Sequence, residues 1–425
     1  MTAPTLLTPA ATRPGGRAPS RALQIAHFSD TYLPRRDGVI SSLHTLTEAL
    51  TAAGHGCLTV VPRHRQQPAA PELLGLRALA CGVADLRLLP WPTNAQVERV
   101  AAWGPDLIHV HTPGPVGLLG TLVARRLGLP IVHTYHTDLH AYVDAYRIPI
   151  AALRLLVRLY ARRLGVTDPP RADGRTRHGV VDAVNGLLLT DADAVVVPTP
   201  AVLARAGLPV PQQRIFLVPA AVPERAGTAG PAAFRDRYGI APTDRVVLFV
   251  GRVNREKGVD LLLPAFARIL AAEPQARLVL VGAVYERRWL RRLIECSGVV
   301  GDRVVVTGQL PGGSVADAYA AADVLAFPSR TDTQGLVLQE AALAGVPSVL
   351  ADPVLHRSGA IGETAVLADG SPAGFAAAVT RLLRDPAAAR RQGAAARARA
   401  VRHTPQRYGA AMLDVYRHAL ARAGS

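Results

Sequence analysis

The sequence predicts an α/β protein built from two doubly wound parallel-sheet domains. From residue 22 onward, short apolar runs alternate with helical stretches, which is the pattern of repeated β–α units. The alternation is interrupted by a Pro/Gly/Ala-rich segment, 218–231, and then resumes. A length of 425 residues also suits two domains of ordinary size. Two such sheets that face each other leave a cleft at the carboxyl ends of their strands.

The individual elements follow from the spacing of the apolar residues. In the first half we expect strands at 23–28, 56–61, 106–111, 130–135 and 194–198. Helices are expected up to residue 50, at 116–127 and at 153–163. In the second half we expect strands at 246–250, 277–282, 304–307, 324–327 and 348–351. The helices there are expected at 259–272, 287–296, 315–321, 337–344, 372–402 and 406–424.

These elements divide the chain into four parts. We expect residues 1–21 to form a disordered leader and residues 22–222 to form the first domain. Within that domain, the polar stretch 165–186 contains Gly, Pro and Arg without a periodic pattern, so we interpret it as a surface insertion. A second domain is expected at 223–402, and a last helix, 403–425, is expected to pack back on the first domain.

The composition restricts the classes of partner. The net charge is +16, but the arginines are dispersed and do not alternate with aromatics, which argues against nucleic-acid binding. Three scattered cysteines without metal-ligand spacing favour a reducing cytoplasm. Arg154, Arg158 and Arg162 lie four residues apart on one helix face. That face is either a membrane-surface contact or an ordinary solvated surface, and the sequence leaves both interpretations open.

Lys257 is the only lysine of the chain, among 48 basic residues. It lies between a predicted strand and a predicted helix, five residues after Arg252. The turn at Gly251 and the unpaired N–H groups of the following helix add a positive dipole end to the two cations. Such a combination is suited to a diphosphate.

A second candidate site spans residues 327–340. Asp332 and Glu340 lie eight residues apart, and their carboxylates could accept hydrogen bonds from sugar hydroxyls. Gly335, between them, lets a ligand approach the backbone closely. The alternative is that Asp332 caps the helix and Glu340 lies on its surface. Because Glu340 precedes the apolar run 341–344, we expect that part of the helix to be buried.

These segments resemble the motifs of family 4 retaining glycosyltransferases, which have the GT-B fold. Residues 252–258 resemble the R-x4-K-G element of that family, and residues 332–340 resemble its E-x7-E element. Residues 28–39 and 133–137 are similar to two elements of its N-terminal domain. The four segments occur in the family's order over residues 22–404, which makes the resemblance more specific than any single motif.

The resemblance implies that 22–222 is the acceptor-side domain and that 223–402 binds the nucleotide sugar. It also implies a role for each matching residue. Arg252 and Lys257 would bind the donor diphosphate, and Glu340 would bind the ribose hydroxyls. Asp332 would bind the transferred sugar and the distal phosphate, together with the backbone of the residues that follow it: Thr333, Gln334, Gly335 and Leu336. His136 would face the sugar across the cleft. Gly38 would let the first-domain loop approach the phosphates.

The resemblance also implies the chemistry. A hexose would pass from a UDP- or GDP-sugar to a hydroxyl acceptor with retention of configuration, by front-face attack in which the departing phosphate helps to take the acceptor proton. No metal and no cofactor besides the donor would be needed. Asp191-Ala192-Asp193 matches a metal-binding D-x-D pattern, but it precedes an apolar strand and is interpreted as a turn.

The chain departs from the family pattern at two of these positions. Asp332 stands where the family usually has glutamate, and Asp37 precedes Gly38 where the family usually has a second glycine. Both departures bear on the identity of the donor sugar more than on the activity. His109 and His111 share one face at the end of a strand; we expect His109 to be packed and regard His111 as an acceptor-side candidate.

Several functional alternatives remain at this point. The motifs most resemble those of diacylglycerol glucosyltransferases, which implies a membrane-lipid acceptor and a cytoplasmic enzyme at the inner membrane face. A soluble acceptor, such as an inositol phosphate or a natural-product aglycone, is the alternative within the same chemistry. A nucleotide-sugar epimerase and a non-catalytic nucleotide-binding module are the alternatives of another class.

Overall fold

The computed structural model describes residues 21–67, 69–80, 87–136, 138–145, 149–166, 176–299 and 301–424. These residues form two compact units. The first contains the chain up to Ala220 and again from Pro405, and the second runs from Ala221 to Thr404. The predicted leader lies outside the described residues except for Arg21.

The first unit is organised around a seven-stranded parallel sheet. Its strands, together with a small antiparallel pair formed by β4 and β5, are β1 (Gln24–Phe28), β2 (Gly56–Pro62), β3 (Leu73–Leu76), β4 (Leu79–Ala80), β5 (Arg87–Leu88), β6 (Leu107–Val110), β7 (Ile131–Thr134), β8 (Ala194–Val197) and β9 (Ile215–Leu217). The order in the sheet is β3-β2-β1-β6-β7-β8-β9. The direction of winding therefore reverses between β1 and β6, which is where doubly wound sheets place their ligands.

Among the described residues up to Ala220, seven helices accompany this sheet. They are α1 (Gly38–Ala52), α2 (Asn94–Ala101), α3 (Pro115–Leu127), α4 (Leu139–Ala145), α5 (Ile150–Leu164), α6 (Arg177–Leu189) and α7 (Pro200–Arg205). A 3-10 turn, Gln212–Arg214, precedes β9. The β1 and β6 strands are buried along almost their whole length, as expected for a parallel sheet covered by helices on both faces.

The predicted surface insertion at 165–186 is wrong for its second half. Residues 177–186 belong to α6, and side chains such as Val184 and Leu187 pack against Tyr160 and Leu164 of α5. From Val180 onward this helix is apolar on most sides, and such a helix is stable only when it is buried. Residues 167–175 lie outside the described residues.

Asp30, just after β1, connects the sheet to the start of α3. Its carboxylate accepts hydrogen bonds from the backbone N–H of Val116 at 2.8 Å, from that of Gly117 at 3.3 Å, and from the Thr112 hydroxyl at 2.7 Å. Burial raises the pKa of Asp30, while these donors act in the opposite direction. A Cβ at Gly114 would lie 2.5 Å from this carboxyl group, so the glycine makes the close approach possible. Asp30 thus supplies the acceptor that the first turn of α3 lacks.

The second unit contains a six-stranded parallel sheet. Its strands are β10 (Arg245–Val250), β11 (Ala276–Val281), β12 (Val304–Gly308), β13 (Val324–Phe327), β14 (Ser348–Leu350) and β15 (Val366–Leu367), in the sheet order β12-β11-β10-β13-β14-β15. The helices are α8 (Gly230–Arg237), α9 (Val259–Ala272), α10 (Arg287–Cys296), α11 (Gly312–Ala320), α12 (Leu336–Leu343), α13 (Pro353–Ser358), α14 (Pro372–Arg384) and α15 (Pro386–Ala400). Two 3-10 turns, Gly301–Arg303 and Gly362–Thr364, complete it. The predicted α/β class with two parallel sheets is confirmed.

The long helix predicted at 372–402 is two helices, because Asp385 and Pro386 interrupt it. Pro386 has no N–H to continue α14, and the Asp385 carboxylate instead accepts from the backbone N–H of Ala388 at 2.8 Å, which caps α15.

The last helix, α16 (Pro405–Ala423), packs within the first unit. The Tyr408 hydroxyl lies 3.0 Å from Oγ of Ser42 on α1, and the Tyr416 hydroxyl lies 2.9 Å from Nδ1 of His109 on β6. Both tyrosines are buried, and their hydroxyl groups are therefore paired inside the protein. Among the helices that the structure describes, none is both long enough and apolar enough to cross a bilayer.

Replacing Asp30 with alanine should lower the free energy of unfolding by about 3 kcal/mol, because three buried donors lose their acceptor. The matched control is Asp191→Ala, whose carboxylate is 34% exposed and pairs with Arg125. An exposed pair of this kind contributes about 1 kcal/mol or less. Chemical denaturation of both variants measures the difference, and equal losses would contradict the role of Asp30.

Candidate active site

The two motifs of the second unit meet because β10 and β13 are neighbouring strands. Val247 pairs with Val324 and Leu248 with Leu325, although the strands are far apart in sequence. The loop after β10 carries Arg252 and Lys257, and the loop after β13 carries Asp332. The sheet order reverses between these two strands, so both loops leave the carboxyl edge at the switch point of the sheet.

Gly258 shows how closely the two loops approach each other. It has φ +74°, and a Cβ there would lie 2.6 Å from the carbonyl oxygen of Pro328. A side chain at this position would be strained and would also separate the loops. The glycine that follows Lys257 in the motif is thus explained by backbone geometry. It is also the N-cap residue of α9.

Lys257 forms an ion pair with the residue predicted to share its ligand. Its Nζ lies 2.8 Å from Oδ1 of Asp332 and 3.5 Å from Oε1 of Glu256. The same Glu256 oxygen accepts a hydrogen bond from Arg252 at 2.8 Å. All four side chains are at least four-fifths buried, with exposed fractions between 9% and 20%. Two cations and two carboxylates therefore form one compact cluster, which we call the Lys257 cluster.

The cluster sets the ionisation of Lys257 and Asp332. Burial by itself would lower the pKa of Lys257, but the carboxylates of Asp332 and Glu256 raise it above its usual value. Burial would raise the pKa of Asp332, but the Lys257 ammonium lowers it. At neutral pH both groups are charged, and each is held in place by the other.

Helices α9 and α12 both begin beside this cluster with a glycine in the left-handed region. Gly258 precedes α9 and Gly335, with φ +68°, precedes α12. Among the described residues neither helix has a side-chain cap on its first turn. The backbone N–H groups at the start of α12 follow directly after Thr333 and Gln334, so the predicted sugar-binding backbone lies at a helix N-terminus.

Glu340 is the fifth residue of α12 and interacts with a residue that the sequence did not single out. Its Oε2 accepts a hydrogen bond of 2.8 Å from the hydroxyl of Tyr319. Burial raises the pKa of Glu340, and the bond from Tyr319 opposes that shift. Ala341 and Ala342, which follow it, have no exposed surface, so the prediction of a buried helix is correct.

In the first unit, Gly38 is the first residue of α1 and Asp37 is its N-cap. Oδ1 of Asp37 accepts from the backbone N–H of Ile40 at 3.1 Å, and Oδ2 accepts from Arg35 at 2.9 Å. The departure from a double glycine is thus explained structurally, since Asp37 places a carboxylate at the helix N-terminus.

His136 is half-buried and is linked to two fully buried imidazoles. Its Nε2 is 3.0 Å from Nδ1 of His111, and Nε2 of His111 is 3.0 Å from Nδ1 of His27. Burial lowers the pKa of His136 to about 4 and that of His27 to about 3, and it holds the pKa of His111 well below its usual range. All three rings are therefore neutral at pH 7. His111 is only 2% exposed, so its ring belongs to the interior.

His27, His109 and His111 each place one ring nitrogen within 4.8 Å of the others, as metal ligands do. Both ring nitrogens of His109 are already used, however, by Tyr416 and Thr134, and both of His111 by the two neighbouring rings. We therefore interpret the group as hydrogen-bonded imidazoles. Asp193 of the D-x-D pattern accepts from the backbone N–H of Ile131 at 3.0 Å, which is the structural use expected of a turn.

Sequence reasoning missed Glu256, Tyr319 and His27. The i,i+4 spacing of Arg252 and Glu256 was a usable signal for the first. Tyr319 and His27 reach their partners only through the fold, so no local pattern could identify them. His27, for example, is the register partner of His109 across β1 and β6.

Two family models match the chain over most of its length. "Glycosyltransferase Family 4" matches residues 36–225, and "Glycosyl transferases group 1" matches residues 244–385. A D-inositol 3-phosphate glycosyltransferase of Xylanimonas cellulosilytica is 32% identical over 77% of this chain and 75% of its own. The chain belongs to glycosyltransferase family 4. The family and the activity class predicted from the motifs, a hexosyltransferase that uses a nucleotide sugar, are thereby confirmed.

A further curated protein and a solved structure are similar to this family 4 glycosyltransferase. The alpha-monoglucosyldiacylglycerol synthase of Streptococcus pneumoniae is 26% identical over 77% of this chain and 70% of its own. The sucrose-phosphate synthase of Thermosynechococcus elongatus superimposes with a TM-score of 0.69 and 24% identity, over 94% of this chain and 100% of that one. The latter likeness confirms the GT-B fold.

Glu340→Gln should stabilise the glycosyltransferase at pH 7. Folding raises the pKa of Glu340, so ionisation of this carboxyl group costs more free energy in the folded protein than in the unfolded chain. The free energy of unfolding of the wild type should therefore fall as the pH rises above 4.5, the ordinary pKa of glutamate. Glutamine keeps an acceptor for Tyr319 without the buried charge. The stability advantage should therefore disappear below pH 4.5.

Thermal unfolding between pH 4 and pH 8 (about one unit per step) measures this advantage. Glu295→Gln, at an exposed position of α10, is the matched control and should gain nothing at pH 7. Equal stability of Glu340→Gln and wild type at pH 7 would contradict the prediction.

Proposed function

We propose that this enzyme transfers a hexose, with retention of configuration, from a nucleotide diphosphate sugar whose diphosphate binds at the Lys257 cluster. The observation that carries the proposal is the Lys257–Asp332 pair of 2.8 Å at the carboxyl ends of β10 and β13. It combines a buried cation, a carboxylate and two helix N-termini at the switch point of one sheet. A diphosphate is the ligand whose charge and size suit that combination.

The cluster would stabilise the leaving group electrostatically. As the bond from the anomeric carbon to the phosphate oxygen breaks, negative charge develops on the diphosphate. Arg252 and Lys257 are fixed cations that would meet this charge without reorganisation. The acceptor oxygen forms the new bond to the anomeric carbon on the same face, and its proton passes to the departing phosphate oxygen. No second carboxylate is needed as a nucleophile.

The remaining residues would bind and orient the donor. Glu340, held by Tyr319, would accept hydrogen bonds from the ribose hydroxyls. Asp332 would bind the sugar hydroxyls together with the backbone of the segment Thr333–Leu336. Gly38 and His136 of the first unit would contribute a close backbone approach and a hydrogen bond to the sugar. In this proposal the reaction uses no metal and no cofactor beyond the donor.

Lys257→Ala should lower kcat/KM for the donor by about 10²-fold or more, as the loss of a preorganised electrostatic donor does. Lys257→Arg should also be impaired, since a planar guanidinium cannot take the place of an ammonium held between Asp332 and Glu256. Initial rates with a panel of UDP-, GDP- and dTDP-sugars, with mass-spectrometric detection, provide the measurement.

The control for this assay is Arg255→Gln, in the same loop but with its guanidinium over the ring of Trp289, 5.1 Å from the centroid. It should turn over at close to the wild-type rate. Wild-type turnover by Lys257→Arg would refute the assignment of Lys257. Conversion of the donor sugar without any acceptor would indicate an epimerase, and donor binding without transfer to any acceptor would indicate a binding module.

For the acceptor, we propose a glycerolipid hydroxyl at an anionic membrane surface. The exposed face of α5 carries Arg154, Arg158 and Arg162 beside Leu155 and Leu159, which are 56% and 38% exposed. A stripe of arginines next to exposed leucines is typical of helices that lie in a bilayer interface. The similarity to the diacylglycerol synthase of S. pneumoniae supports the same acceptor class. The enzyme would then act at the cytoplasmic membrane face.

A soluble phosphorylated acceptor is the second candidate. The similarity to an inositol phosphate glycosyltransferase, at 32% identity, favours it. The two candidates differ in what α5 does, because a soluble acceptor gives no role to exposed leucines beside arginines.

Liposomes that contain an anionic lipid should co-sediment the enzyme, and neutral liposomes should not. The triple variant Arg154→Gln/Arg158→Gln/Arg162→Gln should lose most of this binding, since each basic residue near the surface contributes about 1 kcal/mol. The control is Arg390→Gln/Arg391→Gln/Arg399→Gln on α15, which removes the same charge from exposed positions. Equal loss in both triple variants, or no binding by wild type, would contradict the lipid proposal and favour the soluble acceptor.

A further inference from the structure

Glu256 contacts both cations of the Lys257 cluster. One of its carboxylate oxygens, Oε1, lies 2.8 Å from the guanidinium of Arg252 and 3.5 Å from Nζ of Lys257. The other oxygen, Oε2, is buried, and among the described residues it has no hydrogen-bond partner. Within the part of the chain that the structure describes, the two cations are therefore what holds this carboxylate in place.

The backbone of Glu256 is anchored as well. Its carbonyl oxygen accepts a hydrogen bond of 3.2 Å from the hydroxyl of Thr331, which precedes Asp332 on the other loop. The side chain of Glu256 is only 9% exposed, so it has little surface through which water could replace the cations. A carboxylate that separated from two buried cations would lose its charged partners inside the protein, which costs free energy. We therefore expect it to stay beside them when an anion binds.

A diphosphate bound at this cluster would share its cations with a fixed carboxylate. Arg252 and Lys257 are the cations that the proposed function assigns to the diphosphate, and Oε1 of Glu256 already lies within 3.5 Å of both. The carboxylate and the diphosphate carry charges of the same sign, and their repulsion is strong where water is largely excluded. Glu256 thus fixes the two cations and at the same time weakens their attraction for an anion.

We propose that Glu256 is a positioning residue that sets the affinity of the diphosphate site, by holding Arg252 and Lys257 in place while lowering their affinity for the nucleoside diphosphate product. The inference rests on the proposed function, because it requires the diphosphate to bind at the Lys257 cluster. Near pH 7 the terminal phosphate of the product gains a second negative charge, since it is no longer esterified to the sugar. The product is therefore repelled by Glu256 more strongly than the donor is, which favours its release.

Isothermal titration calorimetry of the full-length enzyme with inorganic pyrophosphate, UDP and GDP tests this effect on affinity. Glu256→Gln keeps an oxygen that can accept from Arg252 but removes the negative charge. This variant should bind pyrophosphate about tenfold more tightly than wild type does, as expected when one like charge at short range is removed. Any nucleoside diphosphate that wild type binds should show the same change. Equal or weaker binding by Glu256→Gln is the result expected of a purely structural residue, and it would overturn the proposal.

Glu256→Asp separates the effect of charge from that of packing. It keeps the carboxylate on a side chain that is one methylene shorter, so the repulsion of an anion remains. This variant should bind pyrophosphate no more tightly than wild type. Tighter binding by Glu256→Asp would assign the gain to looser packing of the cations and would contradict the role of the charge.

Asp244 provides a matched control at the other end of β10. Its carboxylate is 6% exposed and also pairs with two cations, Arg277 at 2.9 Å and Arg303 at 3.3 Å. Asp244 directly precedes β10, whereas Glu256 lies in the loop that follows this strand. Asp244→Asn should therefore leave the affinity for pyrophosphate at the wild-type value. An equal gain in Asp244→Asn would show an effect of net charge alone, and the inference about Glu256 would then be wrong.

Thermal unfolding extends the test to a Glu256→Gln variant that is less stable than wild type. Both Glu256→Gln and Asp244→Asn leave buried cations with fewer carboxylates, so both should unfold at a lower temperature without ligand. Pyrophosphate supplies the missing negative charge at the Lys257 cluster only. It should therefore raise the melting temperature of Glu256→Gln more than that of wild type or of Asp244→Asn, because tighter binding to the native state stabilises it more. An equal rise in all three proteins would overturn the proposal.

Lys257→Ala distinguishes a failure of this inference from a failure of the proposed function. Pyrophosphate should bind more weakly to Lys257→Ala than to wild type. Unchanged binding, or no binding by either wild type or Glu256→Gln, would refute the proposed function, and the inference would fall with it. Weaker binding by Lys257→Ala without tighter binding by Glu256→Gln would refute only the role of Glu256.

Discussion

The parallel pairing of β10 with β13 is the constraint on which the Lys257 cluster depends. The residues between these strands form two complete β–α units, so only the sheet brings the two loops together. Once the strands pair, both loops leave the same edge, and Gly258 lets their backbones touch at Pro328. Lys257 of one loop can then form its ion pair with Asp332 of the other, at 2.8 Å. The site is thus a property of sheet order first and of side chains second.

The charges in this cluster explain why lysine occupies one corner in a chain that otherwise uses arginine. An ammonium can be shared between Asp332 and Glu256 at 2.8 and 3.5 Å, whereas a planar fork would need more room. Glu256 has a second role, because it also accepts a hydrogen bond from Arg252. With both carboxylates present the cluster carries no net charge, which limits the cost of burying two cations before a ligand arrives. A diphosphate would then bind to side chains already fixed in position.

The helices and strands of the second unit were predicted more closely than those of the first. The reason is that the spacing of apolar residues along the sequence is clearer in the second unit. Helix Val259–Ala272 and strand Val324–Phe327 have the predicted bounds because their apolar spacing is unambiguous. Helix α6 was missed because its first residues are polar. The rest of this helix is apolar and is stabilised by burial against other helices. At the site, the motif residues were found through the resemblance and through charge spacing. Tyr319 and His27 were not, because a hydrogen bond across strands or helices leaves no trace in either segment alone.

The buried polar side chains of the two units differ in their charge. In the second unit, Lys257 stays charged because carboxylates surround it. In the first unit, the equivalent edge of the sheet, at the ends of β1 and β6, holds histidines that burial keeps neutral. Fixed charges are suited to a leaving group that gains negative charge, whereas neutral imidazoles are suited to a sugar that has only hydroxyl groups to recognise. A charged residue in place of His111 would need a partner there, and the described neighbours are other imidazoles. The contrast between charged side chains at one sheet edge and neutral, hydrogen-bonded side chains at the other therefore follows from which groups each edge can keep ionised.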